Sequence, residues 1–208
     1  IFYPRTSMDL WKRSTVTNLL EFTTSTIEGF TNKFQTDVIY TDFSKAFDSV
    51  NHNLLLLKLD HYGFSNIFLK WLCSYLTNRT QRVKFNSSLS SSITVCSGVP
   101  QGSHIGPLLF LLFINDLPLV IKHSNILLFA DDVKLFLKVK DLGDCLKLQH
   151  DLNSLTNWCN VNLMLLNTKK CKAMSFFRGK KLSFDYYIEN DSLENVSHLS
   201  WPWSHNEC

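Results

Sequence analysis

The sequence predicts an α+β fold, a sheet of mixed strands with helices packed on one face, on three observations. Short runs rich in Val, Ile, Tyr and Phe are separated by long stretches with helical apolar spacing, without the strict alternation of a βα repeat. At 208 residues, with 45% hydrophobic and 13% aromatic content, the chain can bury a sizeable core and is most economically one domain. The third observation is "ILLFADDVKLF", Ile126 to Phe136, an apolar and strand-prone run that carries two adjacent aspartates at its centre.

The elements follow in order. "TNLLEFTTSTIEGF" places Leu19, Leu20, Phe22, Ile27 and Phe30 at helical spacing and opens after Ser14 or Thr17 as a cap. "DVIYTDF" is a strand in which Tyr40 and Asp42 share a face, since side chains alternate with period two. "NLLLLKLDHY" is a helix stopped by Gly63 in a left-handed cap. "SNIFLKWLCSYLTN" is another, with Ser65 as its cap and Ile67, Trp71 and Tyr75 on one stripe. "QRVKF" and "SITVC" form a hairpin whose turn is the low-complexity patch "NSSLSSS". The loop "SGVPQGS" then feeds a buried helix beginning at Pro107, where a missing N–H costs nothing. "ILLF" and "VKLFLKV" are strands joined at a short hairpin with the aspartates at or near its tip. An amphipathic helix runs from Asp141 to about Asn160, and "CKAMSFF" and "LSFDYYIE" are further strands. The tail "HLSWPWSHNEC" matches neither period.

Composition narrows the function. The six cysteines, at 73, 96, 145, 159, 171 and 208, show no Cys-x-x-Cys spacing, so free thiols are expected and neither disulfides nor zinc. The most apolar run, "IGPLLFLLFINDLPLVI", is interrupted after about ten residues, too short for a bilayer that needs roughly 20, so no membrane partner is expected. Net charge is +3, unevenly spread. From His61 to Asn115 there is no acid, against Lys70, Arg79, Arg82 and Lys84, and a second acid-free block holds Lys169, Lys170, Lys172, Arg178, Lys180 and Lys181. Two basic zones beside concentrated aspartates suit a polyanion whose reacting end meets a metal, although from the charge counts alone two solvated faces are the preferred reading.

Adjacent carboxylates repel by about 1 kcal/mol at 4 Å in water and about 4 kcal/mol at an effective dielectric of 20. A divalent cation offsets this, and Mg²⁺ favours one or two protein carboxylates with phosphate oxygens and water. Asp42, ending a neighbouring strand, could complete a site for two ions about 4 Å apart. Taken alone, Asp131 and Asp132 also fit an ordinary surface turn.

Three segments occur together in one order: "YTDFSKAFDSVNH", "SGVPQGSHIGPLLFLLFINDL" and "LLFADDVKLF". Together they resemble the palm of reverse transcriptases from non-LTR retrotransposons, particularly Jockey and CR1-like elements, over most of the chain. The resemblance implies a polymerase palm, an antiparallel sheet backed by helices, at 38–199, a fingers remnant at 1–37, a missing thumb and a divergent tail at 200–208. Asp42 and Asp131 are implied as metal-binding catalytic aspartates, with Asp132 as the neighbouring acid. The Phe43 carbonyl is implied as a further metal contact, and Phe47 as the bulky residue that a 2′-hydroxyl would strike. Gln101 is implied beside the incoming nucleotide, where Gly98 and Gly102 permit close backbone approach. Lys170, in "LNTKKCKAM", corresponds to a candidate acid for the pyrophosphate leaving group, with Lys169 and Lys172 as competitors.

The activity implied is RNA-directed DNA polymerisation, with two Mg²⁺ ions (Mn²⁺ the alternative) and with RNA template, DNA primer and dNTPs as partners. An intracellular, nuclear setting and an endonuclease segment in the parent protein follow by family analogy. The sequence also departs from the pattern. Leu163 stands where glycine is common, Leu165 for lysine, Thr168 for proline and Cys171 for threonine, while "SMDLWKRS" and "SWPWSHNEC" look like frame changes. A non-catalytic remnant that at most binds nucleic acid is therefore the alternative.

Overall fold

A computed structural model describes residues 15–197, so the first 14 residues, with the Ser14 cap, and the tail at 200–208 lie outside the described part. Strand β1 (Gln35–Asp42), rich in Thr, Val, Ile and Tyr, is the centre of the sheet. It pairs antiparallel with β7 (Asp132–Val139) on one side and with β8 (Lys172–Phe176) on the other. The hairpin partner β6 (Asn125–Phe129) closes one edge. A two-residue strand, β11 (Glu194–Asn195), adds in parallel at the other, giving the order β11-β8-β1-β7-β6.

Period-two alternation divides β1 cleanly. Ile39, with Val133, Leu135 and Val139 of β7, faces the main core. That core is completed by α3 (His52–His61), α5 (Gly106–Ile114) and α6 (Leu142–Val161) through Leu55, Leu59, Phe110, Phe113, Leu148 and Leu152. The opposite face carries Val38, Leu127 and Phe136 near one end and Asp42 and Asp132 at the other. Helices were expected on one face only. Instead α1 (Thr15–Thr31) covers the apolar end of this second face, its Phe22 ring 5.5 Å from Phe136 and 5.8 Å from Phe176. The approach is close: a Cβ on Gly29 would lie 2.8 Å from Thr36 Oγ1. Apolar side chains there demand cover, whereas the aspartate end does not.

Buried polar groups tie the layers together. Lys58 of α3 donates to Asp116 Oδ1 at 2.7 Å and to the Phe113 carbonyl at 2.8 Å, and sits over the Phe113 and Trp158 rings. Burial pulls its pKa down, opposed by the Asp116 charge. Asp151, fully buried on α6, accepts the backbone N–H groups of Lys122, His123 and Ser124 and the Ser124 hydroxyl. Burial raises its pKa, but those hydrogen bonds outweigh it and hold the carboxyl below the usual range. Asp37 accepts from Gln35 and from Tyr186, whose hydroxyl is pushed well up by burial and by the Asp37 charge.

Two expectations need correction. The 79–96 hairpin is two-tiered. Its base pairs β2 (Arg79–Gln81) with β5 (Ile93–Val95), while "NSSLSSS" is no simple turn, because β4 (Ser88–Leu89) pairs with β3 (Lys84–Phe85) at the tip. "LSFDYYIE" contributes only β9 (Tyr187–Ile188), paired with β10 (Asp191–Ser192) outside the main sheet. Its Leu182 and Phe184 instead pack against the core as irregular chain.

Thr17 lies within α1 and does not cap it, but the later caps behave as their residues suggest. Asn51 and Ser65 accept from Leu54 N and Phe68 N at the starts of α3 and α4 (Asn66–Leu76), and Gly63 takes φ +87° after α3. Helix α6 ends in the same manner, with Met164 N bonded to the Cys159 carbonyl and Leu163 N to that of Asn160. This geometry forces Leu163 to φ +56°, which is why glycine suits that position. Leu163 is 60% exposed and loses little packing on truncation. Leu163→Gly is therefore expected to stabilise the chain by about 1 kcal/mol in chemical denaturation; an unchanged or lower midpoint would refute the strain.

Candidate active site

Asp42 is the last residue of β1 and Asp132 the first of β7, and the antiparallel register sets them directly opposite. Such pairs hold their Cα atoms about 5 Å apart with side chains on one face. Asp131 precedes Asp132 in the two-residue turn that closes β6 onto β7, where Phe129 pairs with Asp132. Ala130, the first turn residue, takes φ +51°, as a tight hairpin of this kind requires. All three carboxylates are partly exposed. The expected hairpin tip is thus present, with Asp131 in the turn and Asp132 already in the ladder.

The fold balances these charges only in part. Burial raises the Asp132 pKa and the Asp131 charge raises it further; Lys134 opposes them, and Asp42 adds the smallest increase. Lys170 Nζ lies 3.4 Å from Asp42 Oδ2, on a side chain 68% exposed. The donor set, three hard carboxylate groups at the open end of the sheet, fits a hard divalent cation. Among the described residues a tighter convergence of ligand atoms occurs at His123, His150 and Asp151, but the Asp151 oxygens there already accept four hydrogen bonds.

The neighbouring backbone is anchored. Asn167 N donates to the Asp42 carbonyl at 2.8 Å and Ser44 N to that of Leu165 at 2.7 Å, with Phe43 paired to Leu166 between them. In that pattern the Phe43 carbonyl points away from 165–167, toward the side where β7 lies. The same segment delivers Lys170 to Asp42. Of its competitors, Lys172 is paired with Glu194.

Phe47, in the four-residue α2 (Ala46–Ser49), rests on Phe110 with ring centroids 4.6 Å apart. The loop 97–103 is laced onto this segment. Val99 N bonds the Phe47 carbonyl, Gly98 N that of Val50, and Ser97 Oγ that of Asp48, each at 2.8 Å, and the His52 ring bonds the Gly98 carbonyl. Gly98 takes φ +85°, and a Cβ there would lie 2.8 Å from Asp48 backbone atoms. Gln101 donates to Asp48 Oδ1 at 2.9 Å. Asp48 is the site residue that sequence reasoning passed over, because nothing in spacing marks an exposed acid as the holder of a glutamine 53 positions away.

Comparison with known proteins gives a consistent result. Residues 13–198 match the family model described as reverse transcriptase (RNA-dependent DNA polymerase). The chain is 30% identical over 158 residues to the RNA-directed DNA polymerase from mobile element jockey of Drosophila melanogaster, covering 72% of this chain and 17% of that protein. It is 30% identical over 165 residues to the "Probable RNA-directed DNA polymerase from transposon BS" of the same organism, covering 76% and 18%. The chain thus spans about a fifth of the length of these curated relatives. Among solved structures, apo telomerase from Candida tropicalis, truncated from its C-terminal domain, superposes with a TM-score of 0.56 at 13% identity, covering 92% of this chain and 39% of that one. At that identity the likeness is one of fold.

The electrostatics give a direct test. Because the folded state raises the Asp132 pKa, its ionised form weakens the metal-free fold above that pKa, and the penalty disappears as pH falls and the group protonates. Asp132→Asn is expected to raise the thermal midpoint in EDTA at pH 7, with the advantage over the unsubstituted chain shrinking toward pH 4. A midpoint unaffected at pH 7 would contradict the frustrated cluster.

Proposed function

The chain belongs to the reverse transcriptase family, and on that footing we propose that it forms the catalytic palm of a retrotransposon RNA-directed DNA polymerase. The observation that carries this reading is the register of β1 against β7, which sets Asp42 opposite Asp132 and next to Asp131. Residues 38–199 are assigned to the palm and 1–37 to part of the fingers.

Family members depend on divalent metal, and Asp42, Asp131 and Asp132, with the Phe43 carbonyl, are the groups that would hold two Mg²⁺ here. Bound there, the ions would supply activation of a primer 3′-hydroxyl and neutralisation of triphosphate charge. The protein's own contribution is placement. The sheet fixes the carboxylates, and Asn167 and Leu165 fix the Asp42–Ser44 backbone. Phe47, backed by Phe110, forms the wall against which a ribose 2′-hydroxyl collides, selecting dNTPs. Gln101, held by Asp48, lies along the nucleotide. Lys170, close to Asp42, donates a proton to departing pyrophosphate. RNA template and DNA primer are engaged through phosphates and sugars, with sequence read by base pairing.

Primer extension on an RNA template tests this, with residues 13–198 replacing the matching segment of the jockey polymerase. Extension is expected with Mg²⁺, and Asp131→Asn is expected to reduce it by about a hundredfold or more. A folded chimera that never extends leaves only a non-catalytic remnant. In the same chimera Phe47→Ala is expected to raise ribonucleotide use relative to deoxynucleotide by about tenfold, and unchanged sugar discrimination would remove Phe47 from the pocket.

A further inference from the structure

We propose that the outer face of α4 and the adjoining β2–β5 hairpin form a second contact for single-stranded nucleic acid, separate from the aspartate site, in which Trp71 stacks on a base and Arg79 and Arg82 take phosphates.

Four aromatic rings run along α4: Phe64, Phe68, Trp71 and Tyr75, with successive centroids 5.2, 5.6 and 5.6 Å apart. Core packing accounts for Phe64, Phe68 and Tyr75, which lie against the main cluster. It does not account for Trp71, which is 51% exposed and stacked on Tyr75 at an interplanar angle of only 14°. The indole stands between Phe68, tilted at 36°, and Tyr75, and these two rings hold it while half of its surface stays open as aromatic area against which a base can pack irrespective of sequence. Ile67, one turn earlier, is 83% exposed and extends the apolar strip.

Charge identifies what covers it. No acid occurs between His61 and Asn115, and Lys70 on this helix and Arg82 and Lys84 in the hairpin are all exposed, so these elements themselves contribute only positive charge. Arg79, in the first strand after α4, retains a guanidinium nitrogen buried and without a hydrogen-bond partner. That unused donor on a flexible stem is what a phosphate oxygen satisfies, after the side chain turns outward. The one-signed charge of these elements favours a polyanion over a polypeptide. β5 runs through Cys96 into the 97–103 loop that carries Gln101, so the face is continuous with the proposed nucleotide site.

Fluorescence anisotropy of a labelled 15-nucleotide single strand, titrated with the chain without metal or nucleotide, tests this. Trp71→Ala is expected to weaken binding by about tenfold, and Trp71→Phe to retain most of it. Arg82→Ala with Lys84→Ala should lower the slope of log affinity against log salt by about 0.7 per cation removed. An abasic strand of equal length should bind more weakly and be indifferent to Trp71→Ala. Circular dichroism melting confirms folding, and the Trp71→Phe and hairpin variants keep the test open should Trp71→Ala not fold. Equal binding of abasic and normal strands, or an unchanged salt slope, overturns the proposal. Unchanged strand affinity in Trp71→Ala, with or without lost assembly of the jockey chimera, does so too, and lost assembly assigns the face to a polypeptide. No catalysis enters the measurement, so a failed primer extension leaves this result standing and the reverse also holds.

Discussion

Like charges brought face to face by strand pairing organise this molecule. The β1–β7 ladder cannot shift by one residue without sending Ile39, Leu135 and Val139 out of the core, so hydrophobic burial fixes the register. That same register obliges Asp42 and Asp132 to meet. The repulsion is thus imposed by packing elsewhere in the sheet, and it adds to the burial and the Asp131 charge that already raise the Asp132 pKa.

The surrounding structure keeps that arrangement from relaxing. Lys58 and Asp116 join α3, α5 and α6 beneath the sheet, with Trp158 donating to the same carboxylate. Asp151 ties α6 to the chain entering β6, and Asp37 ties β1 to Tyr186. Breaking a buried pair of this kind typically costs about 3–5 kcal/mol. The aspartate end stays open because the only helix on that face, among the described residues, covers Val38 and Phe136 at the far end.

Much of this was legible in the sequence. Period-two alternation placed Tyr40 and Asp42 on one face, and turn and cap residues marked Gly63 and Ser65 correctly. What escaped depended on distant partners. The 182–189 run has strand composition, but β8 already takes its sheet edge with β11, leaving only Tyr187 and Ile188 to pair locally. Serine-rich polarity at 86–92 hid a second ladder, because backbone pairing there involves exposed side chains with no pattern to read. The Asp48–Gln101 bond depends on how two segments are laced together, which no local signal reports. Among Lys169, Lys170 and Lys172, only the tertiary course of 165–171 brings one of them to Asp42.

The Lys170 contact has one more implication. Its ammonium reaches Asp42 on a long, exposed stem, whereas the backbone beneath it is bonded into the sheet. Neutralising charge here comes from a part that can swing away while the main chain stays still. The molecule can therefore exchange one counter-ion for another as a bristle bends on a fixed brush, with no strand unzipped in between.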